Sequence, residues 1–251
     1  MSSAEQKRIS AEIEVSPLQL RDIFPGIQQS SSVVYLDFSQ FPENLPASQR
    51  IDTFFAKTLA MGRDPRSPEE RQRFNTGLLQ ETGKQYLIGR YCENRIAMLE
   101  GSQIAREGRT FHLGIDIFTS GLEQLHAPYS GTVVRAGQEK GSHTYGYYVV
   151  LEHVVGKERV YCLYGHLSAQ IPPIGMSVRA GQVFARLGDF TDNENGGWSR
   201  HVHVQLLRDL PNDDDIPIGY STQKDLALNM TRFPNPNTLL RIPGIDELHR
   251  N

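Results

Sequence analysis

The chain has 251 residues, 22% of them charged, with a formal net charge of −3 and its Lys and Arg scattered. A chain of that length buries a full core, and the charge pattern lacks the basic footprint of a nucleic-acid or anionic-membrane partner. No apolar run reaches a membrane span, and the N-terminus lacks a basic-then-apolar leader, so the expectation is a soluble protein of the cytoplasm, with an extracytoplasmic role left open.

Residues 1–30 are polar with a weak helical pattern, and Val33-Val34-Tyr35-Leu36-Asp37-Phe38 reads as an early strand without an identifiable partner. After the Pro-containing stretch Phe41–Pro46, Ile51, Phe54, Phe55 and Leu59 recur at helical spacing up to Gly62. Ser67-Pro68-Glu69-Glu70 places an N-cap serine before a proline at the first helical position, so a second helix carrying Phe74, Leu78 and Leu79 is expected to run to Gly83. From Phe111 onward short β-type runs follow one another: Phe111–Phe118, Gly131–Gln138, Tyr145–His153, Arg159–Leu167, Gln182–Gly188 and His201–Leu207. The tail, with Pro211, Asp213-Asp214-Asp215, Pro234, Pro236 and Pro243, reads as irregular. The expected fold is α+β: a mainly helical region over 1–100, a candidate regulatory segment, and a mainly antiparallel, sandwich-like β domain over 101–251. Cys92 and Cys162 are too few for a disulfide scaffold or thiolate cluster and read as reduced structural thiols.

The chemistry concentrates in Arg200-His201-Val202-His203-Val204-Gln205-Leu206. Strand alternation puts His201, His203 and Gln205 on one face and Val202, Val204 and Leu206 on the other. His112-Leu113-Gly114-Ile115-Asp116 alternates likewise, with His112, Gly114 and Asp116 sharing a face and the glycine leaving room where an ion would approach. A catalytic zinc ion takes three protein ligands and keeps one open position. His112, Asp116 and one of His201 and His203 supply that set, and spacing does not say which of the two it is. The other, with His166 in Tyr164-Gly165-His166-Leu167, is then available for proton transfer.

The order and spacing of these elements resemble peptidase family M23, the lysostaphin- and LytM-like zinc metallopeptidases that cut peptidoglycan peptides. The resemblance covers about residues 109–207: His112-x-x-x-Asp116, Ala127-Pro128-Tyr129-Ser130-Gly131-Thr132-Val133-Val134, Tyr145–His153, Tyr164-Gly165-His166-Leu167-Ser168, Val178–Gln182 and His201-x-His203. It implies one zinc ion on His112, Asp116 and His203, with His166 and His201 as the catalytic pair and a peptide or peptidoglycan substrate. The loop from Gly188 to Arg200 is longer and more acidic than is usual in the family, with Arg200 where proline is common. Asn195-Gly196-Gly197-Trp198 and Gly89-Arg90-Tyr91-x-Glu93-x-Arg95 are similar to M23-like segments in cytoplasmic fusion polypeptides with kinase-like and aminotransferase domains.

Two other classes compete: a non-catalytic zinc-containing regulatory or binding module on the same fold, and a carbohydrate phosphotransfer carrier. All five functional positions are filled, which favours the enzyme, and Asp116 with the H-x-H pair fits zinc better than a phosphohistidine. Latent relatives place a polar side chain on the open metal position, for which Asn94 or Glu93 are the candidates here. The acidic loop 189–194 fails the calcium-loop spacing, and His126, His143, His153 and His249 have no partner at ligand spacing, His153 reading as a structural strand-end residue.

Overall fold

The computed structural model describes residues 22–36, 38, 50–155, 158–191, 194–212 and 215–245. The expectations for 1–21, for Phe41–Pro46, for Asp213-Asp214 and for His249 lie outside the described residues. Both predicted helices form. Helix α1 (Ile51–Ala60) buries Ile51, Phe54 and Phe55, and Gly62 follows it at φ +71. In α2 (Pro68–Thr82) the Ser67 hydroxyl accepts from the Glu70 amide, Pro68 begins the first turn, and Gly83 closes the helix in the left-handed conformation. Its buried face is half polar, with Arg71, Gln72 and Asn75 beside Leu78 and Leu79.

The early strand β1 (Val33–Tyr35) finds its partner in β2 (Tyr86–Gly89), a run the sequence left unassigned. The strands that follow among the described residues are β3 (Arg109–His112), β4 (Ile115–Phe118), β5 (Gln124–His126), β6 (Gly131–Glu139), β7 (Gly146–Val155), β8 (Glu158–Leu167), β9 (Ser177–Val178), β10 (Val183–Arg186), β11 (His201–Leu207) and β12 (Tyr220–Thr222). Eight strands form one sheet in the order β1-β2-β4-β11-β8-β7-β6-β9, antiparallel except for β1 with β2. The fold is therefore α+β with a mainly antiparallel sheet. Because β2 pairs with β4, the N-terminal region contributes strands to the sheet that carries the site.

One expected strand is two. The run Phe111–Phe118 breaks at Leu113-Gly114, where the Leu113 amide bonds to Gly219 and β3 leaves to pair with β12. His112 and Asp116 thus reach the site from different sheets, not from one alternating strand. Short helices α3 (Ile96–Leu99) and α4 (Gln103–Arg106) precede β3, and the tail also differs, with α5 (Leu226–Arg232) and α6 (Asn237–Leu240) in the stretch read as irregular. Such one- and two-turn helices carry too few residues to show an apolar period.

The sheet buries Ile115, Ile117, Cys162, Tyr164, Val202, Val204 and Leu206 on one face, against Phe24, Leu125 and Val133. The opposite face carries the histidines. Beside it, α1 and α2 pack Phe54, Phe55, Leu78 and Leu79 with Leu87, Phe118, Trp198 and Tyr220, so the helices wall the open face. Both cysteines are free thiols. Among the described residues no helix is long and apolar enough to cross a membrane.

Candidate metal centre and active site

In the register of β4, β11 and β8, His203 lies opposite Asp116 on one side and Gly165 on the other. Opposed residues of an antiparallel pair present side chains to the same face, so this triplet sets the site. Gly165 is glycine because the Tyr145 ring occupies its side-chain space, where an added Cβ would meet Cδ1 at 2.7 Å. Gly114 is needed for a related reason: its Cβ would meet the His203 imidazole at 2.4 Å. The space the glycine frees holds the ring of a ligand candidate, not the ion itself.

His166 follows Gly165 and would point to the core by strict alternation, as Tyr164 does. A bulge between the Tyr147–Leu167 and Val149–Tyr164 pairs inserts one extra residue in β8, and His166 sits there at φ 62. The bulge turns its side chain onto the site face, holding a non-glycine residue in a region that costs about 1–3 kcal/mol. The His166 amide donates to Tyr145 and its carbonyl accepts from Gly188, which fixes the bend. Its ring centroid lies 4.3 Å from that of His201.

Each imidazole is held from behind. Among the described residues, His112 Nδ1 bonds to the Arg90 carbonyl at 3.0 Å, His166 Nδ1 to the Asn195 carbonyl at 2.9 Å, and His201 Nδ1 to the Ser199 carbonyl at 2.7 Å. His203 Nε2 bonds to Gln205 Oε1 at 2.9 Å, and the amide's orientation is fixed because its Nε2 donates to the Ile218 carbonyl. All four partners are acceptors, so all four rear nitrogens carry the proton and the inward nitrogens present lone pairs.

Those lone pairs converge. His112 Nε2 and His203 Nδ1 are 3.0 Å apart, His203 Nδ1 and Asp116 Oδ1 3.0 Å, and His112 Nε2 and Asp116 Oδ1 3.3 Å. A zinc ion bound to nitrogen and oxygen at about 2.0–2.1 Å in tetrahedral geometry separates its ligands by about 3.3 Å. Three acceptors at that spacing with no proton between them fit a cation. His201 Nε2 stands farther off, 3.7 Å from Asp116 Oδ1. The donor set therefore fits the metal on His112, Asp116 and His203, whose ligand atoms all lie within 4.8 Å of one another, and leaves His201 beside it.

Burial, together with the neighbouring positive groups, pushes His112 down to about 3. Burial also takes His201 down to about 4 and, with His201 and His203 facing it, drives His166 well below the usual range. These three rings, His112, His166 and His201, are neutral near pH 7, as a metal ligand and general bases must be. Burial would raise the Asp116 carboxyl, but His112 and the Arg95 guanidinium hold it well below the usual carboxylate range. Arg95, 1% exposed, donates from Nη1 to Asp116 Oδ2 at 2.5 Å and from Nε to Glu93 Oε2 at 3.2 Å. It thereby ties up one carboxylate oxygen and leaves Oδ1 turned to the histidines.

The two latency candidates are engaged elsewhere. Glu93 Oε1 accepts from the Phe38 amide, and Asn94 Oδ1 accepts from the Ile96 amide. Arg95, which the sequence marked only as part of the segment Gly89-Arg90-Tyr91-x-Glu93-x-Arg95 and gave no role, is what approaches the site from there. Also missed was His143, whose ring meets Trp198 edge-on at 5.0 Å and lines the same cavity. The acidic loop is tied down by an ion pair, Arg200 Nη2 to Asp189 Oδ2 at 2.8 Å. Gln72 of α2 accepts from the Arg200 amide at 2.7 Å, and Asn75 donates to the Ser199 hydroxyl at 3.3 Å, so the helix steadies the segment leading into β11. The cavity over the site measures about 270 Å³.

Residues 110–215 match the model of Peptidase family M23. Among solved structures the chain is similar to a mutant catalytic domain of the prophage-encoded M23 protein EnpA from Enterococcus faecalis, at 24% identity over 45% of this chain and 75% of that chain, TM-score 0.34. It is similar to the catalytic domain of the antimicrobial peptidase lysostaphin from Staphylococcus simulans at 21% identity over 48% of this chain and 80% of that chain, TM-score 0.34. A zinc-containing peptidase from Vibrio cholerae shares 25% identity over 43% of this chain and 32% of that chain, TM-score 0.33. A comparison with curated proteins gives no match. His112, Asp116, His166, His201 and His203 all lie within residues 110–215, the segment that matches the model of Peptidase family M23.

Proposed function

We propose that the protein is a zinc-dependent endopeptidase that hydrolyses peptide bonds of the peptidoglycan or Gly-rich class. His112, Asp116 and His203 hold one ion, and His166 and His201 perform the proton chemistry. The observation that carries this reading is the pair of lone-pair nitrogens, His112 Nε2 and His203 Nδ1, fixed 3.0 Å apart beside a carboxylate oxygen. Unprotonated nitrogens at that distance repel each other unless a cation lies between them. A zinc ion there supplies a Lewis acid that polarises a carbonyl and acidifies water.

The chain's own residues supply the rest. His201 and His166 turn unprotonated Nε2 atoms toward the cavity, and either accepts the proton that water loses on adding to the carbonyl carbon. The resulting imidazolium N–H donates to the tetrahedral oxyanion or to the amine nitrogen as the C–N bond breaks, so the proton leaves with the amine. The Asn195 and Ser199 carbonyls stabilise the charged rings from behind. Trp198, Phe118 and the helices keep bulk water from the site, which strengthens each of these interactions.

Metal analysis combined with hydrolysis assays on peptidoglycan and Gly-rich peptides, for wild type and His166→Ala, tests this. The expected result is zinc in both proteins and hydrolysis in the wild type alone. Zinc in both, with no His166-dependent hydrolysis of any peptide, overturns the peptidase and leaves a zinc-containing regulatory or binding module.

A further inference from the structure

Arg71 is a buried charge that the proposed chemistry does not use. It is 7% exposed, on the face of α2 that lines the cavity over the metal centre. Its Nη2 donates to the Met98 carbonyl at 3.0 Å, its Nε has no partner, and no carboxylate among the described residues forms an ion pair with it. Burial lowers it to about 10, so it stays charged near neutral pH. The guanidinium carbon lies 5.6 Å from the centre of the Trp198 ring. An uncompensated buried cation is costly, and the other charged groups lining this cavity do not relieve it. Arg95 is matched by Asp116 and Glu93, Arg109 pairs with Glu107, and Glu139 accepts from the Tyr145 amide. A 2+ ion on the metal ligands would add positive charge to the cavity.

We infer that Arg71 forms a carboxylate subsite, and that the preferred ligand is a short peptide whose free C-terminal carboxylate pairs with it while its apolar side chains lie against Phe54, Phe74, Met98 and Ile104. This rests on the peptidase reading for its choice of peptide and deepens it by placing the scissile bond near a chain end. Trp198 sets the span: its ring is 5.6 Å from Arg71 and 6.3 Å from the His201 ring. An extended peptide advances about 3.3–3.6 Å per residue, so a carboxylate on Arg71 lies at most about three residues from a carbonyl at the histidines. The cavity of about 270 Å³ sits at the small end of organic-ligand pockets, about 300–1,000 Å³, which suits a peptide end. A guanidinium pairs with a carboxylate through charge-assisted N–H bonds, stronger than those between neutral groups.

Trp198 is the single tryptophan of the chain, so its fluorescence reports occupancy directly. The test titrates N-acetylated tripeptides of alanine and leucine, in L and D forms, as free acids and as C-terminal amides, into the zinc-loaded protein. The His166→Ala variant serves for any peptide that is cleaved. The free acid of at least one series is expected to bind at least about tenfold tighter than its amide, the effect of a charge-assisted pair in a desolvated site. Arg71→Gln brings acid and amide to within about threefold, and Arg71→Lys, which keeps the charge but loses the planar donors, gives an intermediate preference. Equal affinity of acid and amide in the wild type overturns the inference without reference to any variant, as does the absence of binding by every peptide at millimolar concentration. An acid preference without hydrolysis upholds the subsite and removes the peptidase, whereas hydrolysis without an acid preference does the reverse.

Discussion

Gln205 offers a direct perturbation of the site that leaves every proposed ligand and catalytic residue in place. Wholly buried, it accepts from the Tyr145 hydroxyl at 3.0 Å and from His203 Nε2 at 2.9 Å, and it donates to the Ile218 carbonyl at 3.0 Å. Replacing it by leucine keeps the volume and strands all three groups. The proton of His203 then loses its reason to stay on Nε2, and its transfer to Nδ1 removes the lone pair that faces His112 and Asp116. Loss of such an outer hydrogen bond lowers metal affinity by about 10–100-fold, or about 1.4–2.7 kcal/mol. The stranded polar groups lower fold stability by about 2–4 kcal/mol in addition. Zinc affinity by competition with a fluorescent chelator, read beside thermal unfolding with and without zinc, separates the two effects. Gln205→Glu keeps the acceptor and is expected to keep zinc affinity near wild type. Should the folded Gln205→Leu variant bind zinc within about twofold of wild type, the tautomer argument is wrong.

Three further perturbations follow from the same structure. Gly114→Ala drives a Cβ to 2.4 Å from the His203 ring and is expected to lower zinc affinity by at least about tenfold through displacement of a ligand, measured by the same competition. Arg95→Met leaves Asp116 and Glu93 without the cation buried between them; unfolding of the metal-free protein should show a loss of about 3–5 kcal/mol, part of which added zinc restores. His153, wholly buried with Nε2 unpartnered, is pushed down to about 4 by burial. Its folded value lies below the unfolded one of about 6.5, so its contribution is present above pH 6.5 and lost as pH falls toward 4. Urea unfolding at pH 7.5 and pH 4.5 should show His153→Gln losing about 2–3 kcal/mol less than wild type across that interval; equal losses contradict the assignment.

What the sequence made legible was local. Alternation alone placed His201, His203 and Gln205 on one face of β11, and cap chemistry at Ser67 and Gly83 marked both ends of α2. Less legible were features that depend on which strands become neighbours. The break at Leu113-Gly114 exists because β3 pairs with β12 and because the His203 ring needs the space at Gly114, and neither constraint is local. The turn of His166 comes from a bulge against β7, which no pattern in Tyr164-Gly165-His166 specifies by itself. Propensity and period say nothing of burial and so do not mark Arg71 or Arg95 as buried, yet their burial gives the site its electrostatics. The helices that wall the site were readable as helices, but their polar inner face, Arg71, Gln72 and Asn75, was not.

The central claim is that one zinc ion on His112, Asp116 and His203 works with His166 and His201 to hydrolyse peptide bonds. Turnover of a peptide substrate by wild type and His166→Ala at matched zinc content tests it most directly. The account predicts one zinc per chain in both proteins and a loss of at least about a hundredfold in turnover for the variant. Equal turnover at equal zinc content, or none in either, contradicts it.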